Sequence, residues 1–292
     1  MNVIPSSPFD THRTVLGSVG KCIYCKKSDV ELSDEHIIPY GLNGNQVLLD
    51  ASCSDCSKIT SAFERDILRH TFLLPRKAFR MRSYNKRKDE VPAKLKIGES
   101  VKYIKIPKDD APIIFALPIF LQPSILDNRP FQPGIQGTGE FQIHEIRGIA
   151  KEKLRKKHGG PSKISFHISY KPTNFARMIA KIAYGFAVAH FGIDDIEDLG
   201  ILSAIKGETD DIGKWVGCVN DERFAPNTVL HSWKAQIEFS YLIEKPRETL
   251  DARLSYKISL FSLFNTPEYT VIVGNVKNLM DKMSLPFGSQ VE

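Results

Sequence analysis

Two cysteine pairs, Cys22-x-x-Cys25 and Cys53-x-x-Cys56, bracket the tripeptide Glu35-His36-Ile37. Together they supply four thiolates, the set that Zn²⁺ takes as a tetrahedron with bonds of about 2.3 Å. Four of the chain's five cysteines are used this way, and zinc explains the pattern better than disulfides or redox thiols do. The fifth, Cys218, stands alone in Trp215-Val-Gly-Cys and reads as a small apolar packing residue. The gap between the pairs holds 27 residues, longer than the roughly 15–20 of an ordinary zinc ribbon. The insert carries the acid and the histidine. An imidazole with an ordinary pKa near 6.5 can take a proton from water at neutral pH, and a neighbouring carboxylate can hold a hard divalent cation.

These groups need a scaffold that holds them face to face. Ile37-Ile38 is β-branched and stopped by Pro39, a turn region with Gly41, Asn43, Gly44 and Asn45 follows, and Val47-Leu48-Leu49 forms a second apolar run. Two short strands joined by a loop are expected. From 57 to about 70, Ile59, Phe63, Ile67 and Leu68 recur at helical spacing. Strand, loop, strand and helix make a ββα unit, with Cys53 and Cys56 just before the helix.

On these residues, the stretch 22–70 resembles the HNH endonucleases, in the zinc-knuckle branch that places an acidic-His-Ile-x-Pro segment between two Cys pairs. The resemblance implies that Glu35 binds a catalytic Mg²⁺ or Mn²⁺, that His36 is the general base, and that Asn45, or else Asn43, braces the site. It also implies a structural zinc on Cys22, Cys25, Cys53 and Cys56, outside the reaction. The chain departs from the family at Ser57, where an Asn or His metal ligand normally follows the fourth cysteine. A hydroxyl is a poor ligand for a hard divalent ion. Either another oxygen substitutes or the site is degenerate. Ser57, Ser61 and Glu64 share a helix face by i, i+4, i+7 spacing, so Glu64 is the nearest compensating ligand, and its alternative is a solvated charge or a partner of Arg65 or Arg69. The likeness extends to Ala51-Ser-Cys, to Lys58-Ile-Thr-Ser-x-Phe-Glu64, to the Leu-Pro-Arg76 that follows, and to the segment from Ala176-Arg177-Met to Lys181-Ile182-Ala183. There the chain is similar to a recurrent bacterial or phage group of HNH-type proteins.

Composition bounds the remainder. A chain of 292 residues with 42% hydrophobic content is long enough for a substantial core. No apolar run reaches the roughly 20 residues of a membrane span, and the first 13 residues lack a signal-peptide apolar region, so a cytoplasmic protein without a membrane partner is expected. The net charge is +6, yet residues 65–108 hold 14 Lys and Arg against four Asp and Glu. Beside a nuclease-like unit, this excess reads as a phosphate track for nucleic acid, DNA in the first instance, with Phe79 and Tyr84 as candidate stacking rings. A second basic cluster, Lys151-Glu-Lys-Leu-Arg-Lys-Lys157, lies further on.

The expected fold class is α+β, divided into a zinc-binding nuclease unit over 1–90 and a domain of mainly antiparallel sheet over 91–292. In the second domain, 174–191 is apolar nearly all round and reads as one long buried helix capped by Gly192, despite Arg177 and Lys181 within it. Pro118 interrupts the run Ile113-Ile-Phe-Ala-Leu-Pro-Ile-Phe-Leu121, which suits an edge strand, and the surrounding Pro-rich stretch is either linker or sheet. Residues 164–170 alternate as a half-buried strand, leaving His167 on the polar face. Further alternation at 237–243 and 254–260, then a run at 269–273, predicts antiparallel sheet, and His231 before it reads as structural. Two functions are compatible with these features: a metal-dependent DNA endonuclease, and a zinc-dependent nucleic-acid-binding protein on a catalytically lapsed HNH scaffold.

Overall fold

A computed structural model describes residues 13–83, 90–130, 132–159, 161, 163–219, 228–229, 237–244 and 252–277. Expectations for Tyr84, for Lys86 to Lys88 and for His231 lie outside them. The fold is mixed α+β, with antiparallel pairing dominant and few helices.

The chain opens with β1 (Thr14–Ser18), β2 (Leu32–His36) and β3 (Gln46–Cys53), followed directly by α1 (Ser54–Arg69). Strand β3 is central, parallel to β1 and antiparallel to β2. The register slips between Ser33, which faces Ser52, and Glu35, which faces Leu48. Asp50, at φ 48°, lies in this bulge. Bulges re-aim side chains, and here Glu35 turns inward while Asp34 stays exposed. β2 stops at His36 rather than running through Ile37-Ile38, and α1 begins three residues before the expected start. Phe63 and Ile67 are buried on α1 as the spacing predicts, but Ile59 is exposed. The turn between β2 and β3 is too tight for side chains at two positions. A Cβ at Gly44 would lie 1.9 Å from the Ile38 carbonyl oxygen, and one at Gly41 would lie 2.5 Å from Nη2 of Arg76.

After the short helix α2 (Leu73–Ala78), β4 (Glu90–Ile97), β5 (Ser100–Pro107), β6 (Ile113–Phe120), β7 (Gly137–Arg147), α3 (Lys151–His158) and β8 (Lys163–Ser165) form two small sheets and a helix. The Pro-rich stretch therefore contains sheet. Pro118 sits in β6, which among the described residues pairs only with β7, so no central ladder there loses a donor. The strand expected over 164–170 is shorter, since regular pairing ends at Ser165. The second basic cluster is α3, whose Leu154 packs in a minor core with Val91, Ala93 and Ile106.

Helix α4 (Pro172–Phe191) is the long buried helix, ending at Gly192 with φ 82°. Beyond it lie β9 (Ile196–Glu197), α5 (Ile201–Lys206), α6 (Ile212–Trp215), β10 (Val216–Gly217), β11 (Thr228–Val229), β12 (Ile237–Glu244), β13 (Ala252–Leu260) and β14 (Glu268–Val276). The three strands expected over 237–273 are β12, β13 and β14, and they lie in a sheet of order β10-β14-β13-β12-β11, with β9 also on β14. One core joins this sheet and α4 to the cysteine unit: Phe175, Ile179 and Tyr184 belong to the same cluster as Tyr24, Ile37 and Phe63. Cys218 packs on its edge, as expected of it. Among the described residues, no helix is long and apolar enough to cross a membrane.

Candidate functional site

The four cysteines converge. Their sulfurs lie within 4.8 Å of one another, and Cys25 Sγ is 3.7 Å from Cys53 Sγ. That spacing is far beyond the roughly 2.05 Å of a disulfide. It matches the edge of about 3.8 Å in a tetrahedron with 2.3 Å metal–sulfur bonds. Burial opposes a thiolate at Cys53, but the Cys56 backbone N–H and the neighbouring thiols outweigh it and bring Cys53 down to about 7. The cluster can hold a metal ion such as zinc.

Glu35 and Glu64 also come together, and between them lies Lys181, which from the sequence is one of two charges within an apolar helix and carries no site role. Lys181 of α4 is 1% exposed. Its Nζ lies 2.7 Å from Oε1 of Glu35 and 2.9 Å from Oε1 of Glu64, and it donates to the carbonyls of His36 and of Ile37, the latter at 3.2 Å. Burial lowers its pKa, but Glu35 and then Glu64 outweigh this and hold the ammonium above its ordinary value. Burial raises the Glu64 carboxyl against the pull of Lys181. Tyr24, inside the first knuckle, completes the group. Its burial, followed by the charges of Glu35 and Glu64, pushes the phenol well above its usual range. Gly185, one turn beyond Lys181, lets α4 approach β2 closely: a Cβ there would meet Ile37 Cγ2 at 3.1 Å.

His36 sits at the rim of this buried group, half-exposed, with its ring edge-on to Tyr40 at 5.6 Å. Burial and then the Lys181 charge lower its pKa, with Glu35 opposing. The imidazole is therefore neutral at neutral pH and can accept a proton. It opens into a cleft of about 640 Å³ that Asp34, Ser57, Ser61, Arg65, Arg69 and Arg82 help to line. Lys77 and Arg76 also border it. Asp34 pairs with Arg13.

Several expected residues have other roles. Asn45 is buried outside the cleft lining, and its Oδ1 has no hydrogen-bond partner among the described residues. Asn43 Oδ1 accepts the Arg82 backbone N–H at 2.8 Å, which ties the turn between β2 and β3 to the segment after α2. Arg76 is a strut rather than part of a phosphate track. It is buried and donates to the carbonyls of Gly41 at 2.6 Å, Leu68 at 2.7 Å and Arg82 at 3.1 Å. Phe79 is half-buried and stacks on Phe264. His167 is exposed.

The expected Mg²⁺ or Mn²⁺ bridge between Glu35 and Glu64 does not fit this arrangement. Mg²⁺ needs its oxygens at 2.0–2.1 Å in near-octahedral geometry, whereas an ammonium fills the space between the two carboxylates. Glu64 does turn toward Glu35, as a compensating ligand would, but the cation it meets there is Lys181. No protein-family profile, curated protein or solved structure matches the chain.

Proposed function

We propose that the chain hydrolyses phosphodiester bonds in nucleic acid, DNA in the first instance, with His36 as the general base. The observation that carries this reading is a neutral imidazole at the rim of a cationic cleft, next to a buried group of two carboxylates and one ammonium. The hairpin of β2 and β3, the helix that follows, the cysteine cluster and the Glu35-His36 order support the resemblance to HNH endonucleases, and the zinc assignment belongs to it. In this reading the substrate phosphate lies in the cleft, with Arg65, Arg69 and Arg82 offsetting its charge. His36 takes a proton from the attacking water, and Tyr40 fixes the imidazole plane from one side. Glu35, Glu64 and Lys181 hold β2 rigid beneath it.

The second reading, a nucleic-acid-binding scaffold without catalysis, is favoured by Ser57 and by the lysine seated between the carboxylates. Nicking of supercoiled plasmid in buffer with Mg²⁺ or Mn²⁺ decides between them. The nuclease reading expects cutting by the wild type and a loss of about 10²- to 10⁴-fold in His36→Ala, the usual weight of a general base. Salt-sensitive DNA binding with no cutting would overturn it in favour of the scaffold.

A further inference from the structure

We infer that Lys181 is the resident cation of this site, delivered by α4 into an oxygen cage formed by Glu35, Glu64 and the backbone carbonyls of His36 and Ile37. The cage has the composition of a hard-cation site, with two carboxylates and two carbonyls converging on one point. A peptide carbonyl has no charge of its own to neutralise. Two aimed at the same Nζ, from the residues that follow Glu35, indicate a position built to solvate a positive charge.

The chain supplies that charge covalently. The ammonium makes a divalent ion unnecessary for holding Glu35 and Glu64 together, and it repels one that approaches. Gly185 keeps α4 close enough for the lysine to reach. Asp34, His36 and Tyr24 are among the titratable groups nearby, and His36 lies at the rim rather than in the cage. Asp34 is exposed and engaged by Arg13, and neither a carboxyl nor a phenol can carry positive charge, so the positive charge between Glu35 and Glu64 is that of Lys181. Lys181 is thus a positioning residue, acting on His36 through the backbone carbonyl of that same residue. It also makes the site depend on a helix more than 140 residues away in sequence.

The inference deepens the proposed function and rests on that reading for its chemistry. Its test needs no substrate, so a failed cleavage assay leaves it standing. Mn²⁺ binding is measured by the paramagnetic resonance signal of the free ion on zinc-loaded wild type, Lys181→Ala and the double variant Lys181→Ala/Glu64→Gln. Removing the ammonium vacates the cage, so Lys181→Ala is expected to gain one Mn²⁺ site at least tenfold tighter than any on the wild type, and the double variant to lose it. If Lys181→Ala folds only when Mn²⁺ is added, and not at equal ionic strength in Na⁺, the same conclusion follows. Wild-type Mn²⁺ binding that Glu35→Gln or Glu64→Gln abolishes would overturn the inference. So would a Lys181→Ala protein that neither gains a site nor is rescued by Mn²⁺.

Discussion

A buried lysine is stable only with its charge matched, and Lys181 has two carboxylates to match it. Lys181→Met would leave Glu35 and Glu64 facing each other with no cation between them. Breaking a buried pair from one side costs about 3–5 kcal/mol, and urea unfolding of the zinc-loaded variant is expected to show a loss of that order. Adding Glu64→Gln removes one of the stranded charges, so the double variant should recover part of the loss, whereas an equal or larger loss would mean that Lys181 stabilises through packing alone. The four cysteines, Glu35 and His36 were legible in the sequence because their chemistry is local: ligand spacing and adjacency are printed in the chain. Lys181 was not, because its partners lie 117 and 146 positions away. One signal was available. A single lysine at the centre of an otherwise apolar helix needs buried acids as partners, and Glu64 is one candidate, set against its readings as a solvated charge or a partner of Arg65 or Arg69. The sequence does not place Asn45 or Arg76, since polarity alone does not say whether a side chain faces the cleft, is buried beside it as Asn45 is, or joins separate backbone segments as Arg76 does from α2.

Helix α4 connects this site to the C-terminal sheet. Its far end carries His190, whose Nδ1 lies 2.8 Å from the Tyr256 hydroxyl on β13. Burial pushes the imidazole down to about 4 from its ordinary 6.5. Because the folded pKa lies below the unfolded one, the unfolded chain binds the extra proton first as acid is added. The stability that neutral His190 represents is fully present above pH 6.5 and is lost as the pH falls from 6.5 toward 4. At about 1.4 kcal/mol per pH unit, the loss at pH 5 is on the order of 2 kcal/mol. Carboxylates titrate in the same range, so the check is the difference between wild type and His190→Gln in urea midpoints at pH 7 and pH 5. The variant should be less sensitive to acid, and parallel curves would remove His190 from the account. The elements themselves were readable where one periodicity ran long: the apolar pattern of α4 and the alternation of β12, β13 and β14 match the observed segments closely. Short elements were read less well. Regular pairing in β8 ends at Ser165 although alternation continues to Tyr170, because a strand also needs a partner, and β4 pairs with it over only three residues.

Among the described residues, the basic side chains of 65–108 fall into two populations. Arg76 is buried in backbone hydrogen bonds, and most of the lysines from Lys94 to Lys105 lie on β4 and β5, away from the cleft. Arg65 and Arg69, one helical turn apart on α1, line the cleft beside His36. A composition count cannot separate these groups, because net charge is a property of the segment while phosphate contact is a property of one face. If the cleft carries nucleic acid, the two populations respond differently to substitution. Arg65→Gln and Arg69→Gln should each weaken DNA binding and flatten the log–log dependence of affinity on salt by about one unit, the share of one phosphate contact. Both should unfold at the wild-type midpoint, since neither side chain supports the fold. Arg76→Gln should do the reverse, lowering the unfolding midpoint by stranding the carbonyls of Gly41, Leu68 and Arg82, while leaving the salt slope of the folded fraction unchanged. Fluorescence anisotropy across a salt series, paired with urea unfolding, measures both quantities on the same preparations. Equal salt slopes for wild type, Arg65→Gln and Arg69→Gln would place the phosphate path outside this cleft, and with it the substrate that His36 is proposed to serve.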